Sequence, residues 1–140
     1  MDRKNIFIVG LDDFNKSFLE ELPVARECSF HSALDYSEIR DVHSFDMKKL
    51  VNKAFKRMKS FKGSIDGVAS YYDFPGTDLV PVLADHFNLP GPTLESILKC
   101  EHKYWSRQEQ KRIIPENITD FQSFNPYSED PLEQIDLRFP

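Results

Sequence analysis

The sequence predicts an α/β fold of three layers, a mostly parallel sheet with helices on both faces, and three observations point there. The first is a continuous apolar run, Ile6 to Gly10, closed by glycine. A strand covered on both faces reads this way, because neither side meets water. The second is the helical periodicity of Met47 to Met58. The third is the alternation of strand and helix patterns, three of each, as far as Leu89. Right-handed crossovers between parallel strands then distribute the helices over both faces.

Taken in order, Leu11, Phe14, Phe18 and Leu22 recur at helical spacing after the first strand, and Pro23 stops the run. Cys28 to Leu34, with Cys28, Phe30 and small Ala33 among polar residues, reads as a second strand. Met47, Leu50, Val51, Ala54, Phe55 and Met58 then mark one apolar helix face. The opposite face carries Lys48, Lys49, Lys53, Lys56, Arg57 and Lys59. A solvated face covered by lysine stems is preferred there to a nucleic-acid surface. Ile65 to Tyr72 is the third strand, and Thr77 or Asp78 is expected to cap the helix after it. Leu79, Val80, Leu83, Ala84 and Phe87 form its buried stripe, and Pro81 is assigned to its first turn, where a missing N–H costs nothing. Asn88 ends the helix, Leu89 is a short fourth strand or its remnant, and Pro90-Gly91-Pro92 turns the chain.

Ligands of such sheets sit beyond the carboxyl ends of the strands. This places Gly10 to Asp13, with Asp12 between them, Asp35, and Tyr72 to Thr77, with Asp73, on the working edge, and the Gly10 to Asp13 and Tyr72 to Thr77 loops are expected to face a substrate.

Composition narrows the class. A chain of 140 residues buries roughly two-thirds of its unfolded surface and needs no metal or disulfide to fold. Hydrophobic content of 40% and charged content of 29% exclude disorder and fibrous repeats. The net charge of -5 argues against general nucleic-acid binding. Cys28 and Cys100 form no metal or redox motif and read as reduced thiols. The early apolar run is too short for a signal peptide or a membrane span, so a cytoplasmic location and no membrane partner are expected. His31, His43, His86 and His102 share no ligand spacing and are assigned surface or capping roles. Gly10 lacks the further glycines of a dinucleotide fingerprint.

The stretch Leu89 to Arg107, LPGPTLESILKCEHKYWSR, carries the strongest functional signal. On one continuous helix Lys99, Lys103, Arg107 and Lys111 would align on a single face. Spacing alone favours a solvated stripe partly neutralised by Glu95. From Ile113 to Pro140 the chain turns acidic and proline-rich and reads as a connector. A short strand at Ile113-Ile114, a helical turn begun by Asp130-Pro131 and a strand starting at Ile135 to Phe139 are expected in it. The organisation read from sequence is therefore a domain over residues 1–112 and a linker over 113–140.

The order Gly91-Pro92-Thr93, then LESILKCEHKYWSR, then an apolar pair with proline resembles the front end of ATP-grasp enzymes, the carboxylate-amine and carboxylate-thiol ligases. Cys100, Lys103 and Arg107 match a C-x-x-K-x-x-x-R pattern on the helix that follows the family's Rossmann-like pre-ATP-grasp domain. The likeness covers residues 2–89 at fold level and Pro90 to Arg107 at motif level. It implies that Lys103, with Arg107 beside it, faces nucleotide phosphates at the edge of an ATP cleft, and an ammonium in the first turn of a helix suits a phosphate. It further implies ATP and magnesium as cofactors of the full-length ligase, and a small-molecule carboxylate as substrate. No residue of this chain is assigned a catalytic role. No glycine follows Gly91, so the family's phosphate-covering loop, second lysine and magnesium ligands are expected in ATP-grasp domains beyond Pro140. The chain alone is then expected to be inactive, with exposed apolar surface that leaves a homodimer open.

A reading from another class is a receiver-like signalling or small binding module. Asp12 and Asp13 after the first strand and Asp73 after the third would there surround a divalent metal. Turn and helix-cap roles for the same residues are the simpler expectation.

Overall fold

The computed structural model describes residues 3–40 and 46–137. His43 and the end of the strand expected at Ile135 to Phe139 lie outside the described residues. Contacts divide the chain into two units, Met1–Leu94 and Glu95–Pro140.

The first unit is built on three parallel strands, β1 (Lys4–Leu11), β2 (Cys28–Asp35) and β3 (Gly67–Ala69), in the order β2-β1-β3. The central place goes to the most apolar strand, whose Phe7, Ile8, Val9 and Leu11 are all buried. Phe7 pairs with His31 on one side and Val68 on the other. The chain steps from β1 to β2 in one direction and then crosses to β3 in the other, so the gap between β1 and β3 is a topological switch point. The Rossmann-like α/β class read from sequence is the class observed.

The core gathers Phe7 and Val9 of β1 with Ala33 and Leu34 of β2. Against them pack Ile39 of α2 (Tyr36–Arg40), Leu50, Ala54 and Met58 of α3 (Met47–Lys59), and Leu79 and Leu83 of α4 (Gly76–His86). In α3 the buried residues repeat every four positions, which keeps them on one face. Burying each large aliphatic side chain contributes about 1.5–3 kcal/mol. At the end of β1, Gly10 has φ +86°, and a Cβ there would lie 2.6 Å from Ile39 Cδ1, so only glycine fits without strain.

By contrast, α1 (Asp13–Glu21) buries none of its residues. Phe14 and Phe18, expected on an apolar stripe, are 70% and 55% exposed and stack edge to face at 4.9 Å. Of that stripe only Leu11 is buried, and it belongs to β1.

Other boundaries also differ from expectation. The third strand is shorter than Ile65 to Tyr72, because the ladder stops where the Ser70 hydroxyl, rather than a main-chain N–H, donates to the Val9 carbonyl at 2.9 Å. Pro81 lies inside α4 and not in its first turn, since the helix already begins at Gly76 behind Pro75. Neither Thr77 nor Asp78 is the cap, because both fall within the helix. Leu89 is not a strand. Asn88, at φ 53°, turns the chain left-handed, and the Leu89 N–H donates to the Ala84 carbonyl at 2.8 Å, closing α4 with a Schellman-type cap.

The second unit contains α5 (Leu94–Glu101, which opens on the last residue of the first unit) and α6 (Lys103–Ile113). Ile113-Ile114 is the end and cap of α6 rather than a strand. Asp130-Pro131 does lead into a helical turn, the 3-10 segment Leu132–Gln134. Among the described residues no helix is long and apolar enough to cross a membrane.

Candidate functional site

Two places gather the residues singled out in the sequence. At the switch point the Tyr71 hydroxyl donates to the Gly10 carbonyl at 2.6 Å, with Asp12 Oδ2 as an alternative acceptor at 3.1 Å. The Asp12 N–H donates back to the same oxygen at 3.3 Å. Tyr71 thus fastens the end of β1 to the segment that follows β3. Asp12 also caps α1: Oδ1 accepts from the Asn15 N–H at 2.7 Å and Oδ2 from the Asn15 side-chain amide at 2.8 Å. The Asn15 backbone and side-chain donors hold Asp12 below the ordinary carboxylate range. An open cleft of about 480 Å³ lies here, lined by Asp12, Phe14, Asn15, Tyr36, Tyr71 and Tyr72.

Asp13 sits in the first turn of α1 and, with Asp12, Lys16, His31, Asp35 and Arg57, borders a separate cleft of about 660 Å³. The Asp73 carbonyl accepts from the Gly76 N–H at 2.7 Å and so turns the chain into α4, whose first turn holds Thr77. Gly10 and Asp12 are brought together, while Asp73 and Thr77 stand at the head of α4. Among the described residues no group of three or more His, Cys, Asp or Glu could hold a metal ion, so Asp12, Asp13 and Asp73 do not form the metal cluster of a receiver.

Asp35 takes part in fastening α3. Arg57 reaches Asp35 at 3.3 Å and Glu38 at 3.1 Å, and Lys53 also pairs with Glu38. The basic face of α3 is therefore not wholly solvated, because two of its cations tie it to β2 and α2. Burial pushes Glu38 up, but donation from Lys53 and the Asp35 N–H together with the Arg57 charge outweighs it and leaves the carboxyl below its usual range.

The second place is the joint between α5 and α6. One continuous helix does not form, because His102 leaves helical geometry at φ -73°, ψ 104° and its Nδ1 accepts from the Trp105 N–H at 3.3 Å. The row of four cations is broken by this cap. Lys99 remains on α5, between Glu95 at 2.9 Å and Glu109 at 3.4 Å, which raise its pKa, the Glu95 hydrogen bond foremost. Lys103 becomes the first residue of α6 and has no carboxylate partner among the described residues. Arg107 donates to Gln110 at 2.9 Å.

Lys103 and Arg107 line one cleft of about 410 Å³ together with His102, Tyr104, Phe121 and Phe124. Tyr104 and Phe121 meet at 5.5 Å, and Lys111 lies 5.6 Å from the Phe121 ring. A cation at a helix N-terminus and a second one turn further on, beside aromatic faces, suit a phosphate-bearing planar ring. The described lining includes no carboxylate, so it would not repel phosphate oxygens and it offers no ligand for magnesium.

Sequence reading placed Tyr72 on the working edge but missed the Tyr71 tether and Tyr36. The Tyr-Tyr pair placed directly after a strand, on the working edge, was the available signal. Comparison of the chain with protein-family models, curated proteins and solved structures gave no match.

Proposed function

We propose that this chain is the Rossmann-like front part of an ATP-grasp carboxylate ligase. The ligase activates a small-molecule carboxylate as an acyl phosphate, and an amine or similar nucleophile then attacks it. The observation that supports this reading is the convergence of Lys103 and Arg107 on one aromatic-walled cleft at the start of α6. The motif that suggested the reading and the cleft that would serve it involve the same two residues.

In this reading Lys103 and Arg107 donate to phosphate oxygens while Tyr104, Phe121 and Phe124 exclude water from one side. ATP with magnesium supplies the phosphoryl group and the neutralisation of its charge. The magnesium ligands belong to the partner ATP-grasp domains. The loops carrying Gly10, Asp12, Asp13, Asp73 and Thr77 face the small-molecule substrate. A cytoplasmic setting suits a reaction that consumes ATP.

Magnitudes decide what the chain does alone. One or two charge-assisted hydrogen bonds contribute roughly 1.5–3 kcal/mol each. Immobilising a ligand costs about 4 kcal/mol or more. ATP is therefore expected to bind this chain only in the millimolar range or more weakly. Titration of the ¹H–¹⁵N spectrum with ATP should shift Lys103, Tyr104, Arg107 and Phe121, and Lys103→Ala should abolish those shifts while leaving the remaining peaks in place. Shifts that survive Lys103→Ala, or that lie elsewhere in the chain, would sink the reading.

A further inference from the structure

We infer that the cleft at the carboxyl ends of β1 and β3 is a site for a small organic ammonium ion. Its walls are four aromatic rings, Phe14, Tyr36, Tyr71 and Tyr72, and its one charged lining residue among the described residues is Asp12. Among the described residues no cationic side chain lines it. Aromatic faces carry negative potential and attract ammonium groups, and a carboxylate among them excludes anions.

The carboxylate is held charged. An ionised carboxyl offers about four lone-pair sites. The Asn15 backbone and side chain occupy two, at 2.7 and 2.8 Å. The Phe14 N–H is a further donor to the group, and together these donors keep it ionised. The Tyr71 hydroxyl, bound more closely to Gly10 at 2.6 Å, reaches Asp12 only at 3.1 Å and is the contact that an incoming ammonium N–H can replace. Position is fixed as well, because Asp12 is bound to α1 through Asn15 and to the segment after β3 through Tyr71.

The rings are accessible and electronically suited. Phe14 and Tyr71 are partly open to solvent, at 70% and 42% exposure. Tyr36 already carries one cation: the Arg40 guanidinium stands 5.1 Å from its centroid, and Arg40 is not part of the cleft lining. Tyr36 and Tyr72 meet edge to face at 5.3 Å, which fixes the angle of two walls. The cleft also lies at the switch point, where sheets of this topology take their ligands.

The role assigned to this ammonium, the amine-bearing substrate of the ligase, rests on the reading above; its binding does not. The test uses isobutylammonium as probe and isobutanol as its neutral counterpart, each titrated into the whole chain at neutral pH and followed by ¹H–¹⁵N NMR. The ammonium should shift Gly10, Asp12, Asn15 and Tyr72 and bind about fivefold or more tightly than the alcohol. Asp12→Asn, which keeps an equally good N-cap, should leave the spectrum folded and cut that preference severalfold, the rings retaining the rest. Equal binding of both probes to the unaltered chain, or a preference undiminished by Asp12→Asn, overturns the inference. ATP added to the same sample reports at Lys103 and Tyr104 instead, so failure of either site is seen separately.

Discussion

In the Met1–Leu94 unit, β1, β2 and α2 to α4 share one buried cluster running from Phe7 to Leu83, whereas among the described residues of Glu95–Pro140 none is buried. Order in the second unit comes from directional local contacts. His102 caps α6, Lys99 bridges Glu95 and Glu109, and Arg112 pairs with Glu109 at 3.1 Å. Further along, Gln134 Oε1 accepts from the Asn125 N–H at 3.0 Å and Gln122 Oε1 from the Asp136 N–H at 2.9 Å, which folds that stretch back on itself. Exposed ion pairs and single hydrogen bonds are weak beside apolar burial. The difference teaches that Lys103 and Arg107 stand on the part of the chain with least cohesion of its own, where a ligand would have most to contribute.

Three measurements test that contrast, the largest effect first. Leu83→Ala empties a fully buried position in α4 and should lower stability by about 2–5 kcal/mol in urea unfolding followed by circular dichroism. A loss much smaller than this would show that the cluster is not what holds the first unit. Next comes acid sensitivity at His31, stacked against Phe7 and Phe61 with Nε2 near Asn5 Oδ1 at 2.9 Å. Burial first, and then the nearby Lys16, lowers its pKa from 6.5. As pH falls through that value the unfolded chain takes up the proton before the folded one. The contribution of neutral His31 is thus complete above 6.5 and is lost as pH drops through the depressed folded pKa. His31→Phe should flatten the fall of the urea midpoint over this window, and an unchanged slope would contradict the assignment. The smallest effect is expected from His102→Ala, roughly 0.5–1 kcal/mol, the cost of a lost N-cap. Amide exchange should quicken at Tyr104 to Ser106 and stay unchanged along β1. Slowed exchange would mean that the two helices had fused.

Features set by strong periodicity were legible in the sequence. The α3 face was, because Leu50, Ala54 and Met58 repeat against a lysine-rich surface, and so was β1, because an unbroken apolar run fits only a central strand. The strand order was not stated by any residue, since pairing partners are distant in the chain. Phe14 and Phe18 misled in part: their spacing marks a helix truly, but period alone cannot tell which face is covered. Pro81 misled for a related reason, as proline excludes many helix interiors and this one tolerates it. At the candidate site, what spacing made legible is that Lys103 and Arg107 share a face, since they lie four residues apart on one helix. Lys103 in the first turn of a helix was legible too, but the His102 side chain as its cap was not, for histidine is an uncommon cap and neither glycine nor proline marks the joint. Tyr71 was hidden because its partners, Gly10 and Asp12, lie far away along the chain.

The sheet has β2 at one of its edges, and that edge is interrupted. Opposite Ile8 and Val9 of β1 stand Ser32 and Leu34, so Ala33 is an extra residue in β2 and the register shifts there. A foreign strand adding to this edge could keep step only from Cys28 to Ser32 before losing its hydrogen-bond partners. The irregularity therefore bears on solubility: it shortens the template that would otherwise let copies of the chain polymerise edge to edge.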